Sequence, residues 1–224
     1  MSSFSTHEAV NTYLTILKNK GANDEVLTQR AAFLDRLLVL LEGKQESGSE
    51  YRMAVESAIE IEADEYWHDF LTAAREFYPF WIKNKDMVDV FNRHASFDVD
   101  AEKWSPPQIL LQDLMDNAKR HQFNEADNGL LNTYATALKN EGIEDLIIQE
   151  CIGFAKIMLI RLRGAPSQTE KVYRMVVDLT LPIFPDKDNR QLFLMVVREF
   201  FYFWIEDPEA STYLLNTRPK SILF

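Results

Sequence analysis

The sequence predicts an all-α protein built from two tandem copies of one roughly four-helix unit, related by approximate twofold symmetry and joined by a linker with its own helix. Three observations carry that prediction. Apolar residues recur at spacings of three and four over long stretches, the mark of a helix with one buried side. Sustained alternation bounded by hairpin turns, the mark of a strand, is nearly absent. Laid on itself at an offset of about 121 to 123 residues, the chain brings four segments into register in the same order.

The first helix of each copy carries Asn11-Thr12-Tyr13 and Leu17-Lys18-Asn19, aligned with Asn132-Thr133-Tyr134 and Leu138-Lys139-Asn140. It should stop at Gly21 or Gly142, because glycine alone enters the left-handed conformation that closes a helix without steric cost. The second helix pairs Phe33, Leu38 and Leu41 with Phe154, Leu159 and Leu162, and should stop at Gly43 or Gly164. The third should open where Ser47 precedes Glu50 and Ser167 precedes Glu170, the spacing of a capping box. It contains Tyr51-Arg52-Met53 and Val55, aligned with Tyr173-Arg174-Met175 and Val177.

The fourth helix should begin at Asp64 or Asp186, where a carboxylate accepts from free amides and complements the positive helix end. Its core stripe is Phe70, Ala73, Ala74, Phe77, Phe80 and Trp81 in the first copy and Phe193, Val196, Val197, Phe200, Phe203 and Trp204 in the second. Away from that stripe the copies part. Asp69, Thr72 and Pro79 stand where the second copy has Leu192, Met195 and Tyr202. Pro79 should kink or end its helix. The second version is apolar nearly all round, so it predicts a seam through Leu192, Met195, Phe201 and Tyr202, buried against the other copy, the linker helix or a second chain.

Between the copies, Ser105-Pro106-Pro107 opens a predicted helix through about His121, with Leu110, Leu111, Leu114 and Ala118 on its apolar side. The expected division is 1–94 for the first repeat, 95–123 for the linker and its helix, and 124–224 for the second repeat.

Composition bounds the function. With 46% apolar and 12% aromatic residues the chain can build a core without disulfides, and its single cysteine, Cys151, cannot form one within the chain. One thiol and an N-terminus without a basic or apolar leader predict a cytoplasmic address. The most apolar stretch, 192–205, carries Arg198 and Glu199 and is shorter than the roughly twenty residues a membrane span needs, so no span is expected. A net charge of −11, with no run of basic residues, argues against nucleic acid as a partner, because phosphate binding rests on displacing counterions with Lys and Arg. The acidity is uneven: about −6 through Arg93 and about −3 from Glu125 onward.

The sharpest chemical motif is Glu65-x-x-His68, the spacing by which a helical bundle offers a carboxylate and an imidazole to one metal. The aligned part of the second copy, 186–191, has no histidine, so the second half of a two-metal site is missing. His94 or His121 would have to complete a single-metal site. No nucleophile elbow and no glycine-rich phosphate loop is present, no catalytic residue is assigned, and no cofactor is expected.

These observations together predict a non-enzymatic helical-repeat protein that acts as a protein-binding or regulatory module, its partner another protein, with self-association into a homodimer as the competing use of its apolar seam. The alternatives are a ligand- or metal-binding helical bundle with an enclosed pocket, and an acidic antagonist of the immunity type that blocks a basic partner. The residues shared by the copies are mostly apolar, so the shared residues should explain the fold and the differing ones the function.

Overall fold

A computed structural model describes residues 6–93 and 104–214. The described residues are helical, without a strand, and divide into two compact units, 1–103 and 104–224. No described helix is long and apolar enough to cross a membrane.

Unit 1 begins with α1 (Thr6–Asn19), α2 (Asp24–Leu41) and α3 (Gly48–Ile59). A 3-10 turn (Asp64–Tyr66) leads into α4 (Trp67–Trp81), which is followed by α5 (Lys85–Arg93). Helix α4 is the centre: α1, α2, α3 and α5 all pack on it. Its aromatic stripe supplies the core, with Phe70 stacked on Phe33 of α2 at 4.8 Å and Phe77 and Phe80 edge-on to Tyr13 of α1. Tyr51 of α3 packs on Trp81 and donates its hydroxyl proton to the Ala74 carbonyl at 2.7 Å, so a buried polar tip finds an acceptor inside the core.

Helix α1 stops because Gly21 takes φ +99°. Helix α2 starts at Asn23, whose side chain accepts from the Val26 amide, and α3 starts at Ser47, which accepts from the Glu50 amide as the capping spacing predicts. Pro79 does not end α4, which continues to Trp81. It is buried in the last turn, where its missing N–H forfeits one bond and only two helical residues follow, and its carbonyl accepts from the Asn84 amide. The chain then turns through Lys83, a non-glycine residue at φ 55°, into α5. This fifth helix was not expected. Its Phe91 packs on Tyr13 and Phe80, and the Phe91 carbonyl accepts from Lys20, which ties the end of the unit back to α1.

Unit 2 contains α6 (Leu111–Arg120), α7 (Glu125–Asn140), α8 (Asp145–Arg161), α9 (Glu170–Thr180) and α10 (Lys187–Trp204), with 3-10 turns at Leu181–Ile183 and Ala210–Tyr213. Helices α7, α8 and α9 all pack on α10. Tyr134 meets Phe200 and Phe203, and Tyr173 meets Trp204 while donating to the Val197 carbonyl at 2.8 Å. Gly142 closes α7 at φ +76°, Asp186 caps α10 by accepting from the Asn189 amide, and Glu206 turns the chain at φ 56°.

Two starts differ from expectation. The cap of α9 is Thr169, not Ser167: Thr169 accepts from the Val172 amide, because Pro166 favours an extended approach and the first hydroxyl that reaches a free amide lies further on. Helix α6 begins at Leu111 and not at the proline pair, whose backbone stays extended. There the buried Arg161 of α8 donates to the Pro107 carbonyl and, across the gap to α9, to the Leu179 carbonyl and the Thr180 hydroxyl. Leu114 and Ala118, one turn apart, seat α6 on α8.

Candidate functional site

Helix α1 buries Ala9, Val10, Tyr13, Ile16 and Leu17, and leaves Asn11, Thr12, Thr15, Lys18 and Asn19 in solvent. The spacing i, i+1, i+4, i+7, i+8 places those five on one outward row. Helix α7 presents the same five residue types in the same order: Asn132, Thr133, Thr136, Lys139 and Asn140, all exposed. The buried positions between them are less constant, with Val10 aligned to Leu131 and Ile16 to Ala137. Other outward positions differ: Glu25, Thr28 and Glu42 on or just past α2 align with the equally exposed Leu146, Gln149 and Arg163. The residues the two helices share thus include exposed polar ones as well as core ones, and no packing requirement acts on an exposed asparagine or threonine.

The chemistry of the two rows is uncharged hydrogen bonding with one cation at the end. Each threonine hydroxyl donates back to the carbonyl four residues earlier, Thr12 to Glu8 and Thr15 to Asn11 at 2.7 Å, Thr133 to Gly129 at 2.9 Å and Thr136 to Asn132 at 2.8 Å. That spends the donors and leaves oxygen lone pairs facing outward, beside exposed amide groups that both donate and accept. In unit 2 four of the five, Asn132, Thr133, Thr136 and Asn140, line an open depression of about 320 Å³ with Ala137 and with Ser211 from the last 3-10 turn.

Beneath the α1 row lies a polar cluster. Arg30 of α2 is 3% exposed and makes ion pairs of 2.6 Å with both Asp69 and Glu76 of α4. It also donates to the Tyr13 hydroxyl at 2.8 Å, and Tyr13 donates to Glu76 at 2.7 Å. Burial alone would lower the Arg30 pKa, but Tyr13, Asp69 and Glu76 outweigh it and hold the guanidinium above its ordinary value. Burial also pushes the Tyr13 hydroxyl well up. A cation that cannot release its proton and a phenol that cannot lose one are poor acid–base catalysts, so the cluster reads as a structural brace. Arg30 was missed in the sequence, although it falls in step with the core stripe Phe33, Leu34, Leu37 and Leu41 of its own helix.

In unit 2 the aligned positions are Tyr134, Cys151, Leu192 and Glu199. The Tyr134 hydroxyl donates to Glu199 at 2.7 Å, as Tyr13 does to Glu76, while the positions aligned with the arginine and its second carboxylate carry a thiol and an alkyl chain.

The predicted metal pair is placed apart in character. Glu65 is exposed in the 3-10 turn, and His68 is half-buried in the first turn of α4. Among the described residues no group of three or more His, Cys, Asp or Glu side chains is gathered to hold a metal. His94 lies outside the described residues. His121 lies beside Arg163 and edge-on to Phe123. Of the predicted seam, Met195 is buried, and Leu192, Phe201 and Tyr202 are half-buried. Part of their cover comes from within unit 2: Phe201 packs on Tyr173, and Tyr202 stacks on Tyr213 at 3.8 Å. Comparison with known protein families, curated proteins and solved structures returned no match.

Proposed function

We propose that this chain is a non-enzymatic helical-repeat module, made of two tandem copies of one unit, that grips another protein through the outward rows of α1 and α7. The observation that carries the reading is the agreement of five exposed residues between the rows, set against divergence at buried positions of the same helices and at exposed positions elsewhere. A surface held constant without a packing reason is a surface under a binding requirement. The duplication is supported by matching internal contacts, tyrosine to glutamate at 2.7 Å and tyrosine to a backbone carbonyl of the central helix in each unit.

The test is affinity capture from the native cell with a tagged chain, beside a variant carrying Thr15→Glu and Thr136→Glu. Both positions are exposed, so the helical circular dichroism of the variant should match that of the parent. The expected result is a partner retained by the parent and lost from the variant. Equal capture by both proteins, or none by the parent at low salt, would rule the rows out.

A further inference from the structure

We propose that the outer face of α2 is an open seat for a basic amphipathic helix of a partner protein, the counterpart of a seat that unit 2 fills with its own residues 107–123. The inference rests on the reading of the two units as copies. In unit 2 the segment lies along the second half of α8. Arg161 donates to the Pro107 carbonyl, and α6 packs on α8 through Leu114 and Ala118. The Phe123 ring then receives two cations of α8, the Lys156 ammonium at 5.9 Å and the Arg163 guanidinium at 5.7 Å from its centre, and His121 stands beside Arg163. Along this stretch of α8, Ile157 is buried and Ile160 half-buried.

At the positions of Lys156, Ile157, Ile160 and Arg163, unit 1 has Asp35, Arg36, Val39 and Glu42. Helices α1, α3 and α4 pack on α2, yet Val39 remains 71% exposed and both acids lie in solvent. Among the described residues no basic side chain pairs with Asp35 or Glu42. Arg36 turns to Glu62 at 2.7 Å, and Ile61, beside Glu62 in the chain, is as exposed as Val39. The two acids are seven residues apart, two turns or roughly 10.5 Å along one side of the helix, with the valine between them. Apolar surface with a carboxylate at each end selects a helix whose apolar stripe is flanked by Lys or Arg. The net charge of −11 favours its approach. The reversal of sign separates the two seats: cations hold the face of an aromatic ring and carboxylates repel it, so unit 1 takes a different guest from the one unit 2 carries.

The probe is a synthetic peptide of residues 107–123 carrying His121→Lys and Phe123→Lys, which keeps the Leu114 and Ala118 stripe and sets cations where the acids of α2 can meet them. It is titrated to about 1 mM into the full chain at low salt, and amide cross-peaks are followed by two-dimensional NMR. Amides from Asp35 to Glu42 should move, and the unaltered peptide should bind more weakly. In the full-chain variant Asp35→Lys, Glu42→Lys, both positions being exposed, binding should weaken about tenfold or more. The Thr15→Glu, Thr136→Glu variant should bind the peptide as the parent does, so the seat and the rows of α1 and α7 are judged separately. Unmoved α2 amides, or equal binding by the charge-reversed chain, would overturn the proposal. Movement of the same amides with rising chain concentration and no peptide would put a second copy in the seat and overturn the partner helix.

Discussion

The two tyrosine–glutamate pairs show how much a single side chain can decide. In unit 2, Tyr134→Phe withdraws the proton that the buried Glu199 accepts without changing the shape of the ring; such a change should destabilise the protein by about 1–3 kcal/mol, measured as a lower urea midpoint with the slope unchanged. At Gly21, exposed and with open space where a Cβ would sit, alanine should still cost about 1 kcal/mol or more, because φ +99° strains any side-chain-bearing residue. Those residues were legible in the sequence: the glycines by their place after a periodic run, the tyrosines and glutamates by recurrence. Arg30 was not, because hydropathy treats arginine as a surface residue. Only its register with a leucine-rich stripe disclosed it, together with two acids a helix away in sequence.

Helices were the easiest features to read, and their ends the hardest. The caps at Ser47 and Asp186 fell where spacing placed them, whereas the α9 cap lies at Thr169, since two hydroxyl residues after Pro166 compete and only backbone direction selects between them. Helix α5 escaped notice because Lys83 performs a turn that sequence assigns to glycine. Helix α6 offers a sharp test at this scale. Arg161 is its tether, with a pKa lowered by burial and three acceptors drawn from the 104–110 segment and α9. Arg161→Met keeps much of the side-chain bulk and removes every donor. Amides of α6 should then exchange with solvent at least about tenfold faster while those of α7 and α8 hold, as native-state hydrogen exchange would show. Equal slowing or speeding across unit 2 would mean that Leu114 and Ala118 alone seat the helix.

For the whole molecule, charge and packing act at different ranges. A net charge of −11 disfavours the compact state and keeps copies of the chain apart, yet from Asn11 to Asn19 and from Asn132 to Asn140 the exposed rows carry lysine and no acid. A partner meeting those rows would feel little of the surrounding acidity at contact and more of it on approach. Capture should therefore respond to salt mainly in its rate, and weakly in what is finally retained.

Cys151 turns the burial of α8 into a readable signal. It lies fully buried on α8 of unit 2, and it is the sole cysteine in the sequence. A colourless thiol reagent that yields a coloured product can reach the sulfur only during the instants when unit 2 opens. The molecule thus carries its own stopwatch: labelling of the native protein counts the openings that expose α8, with no dye, tag or mutation added.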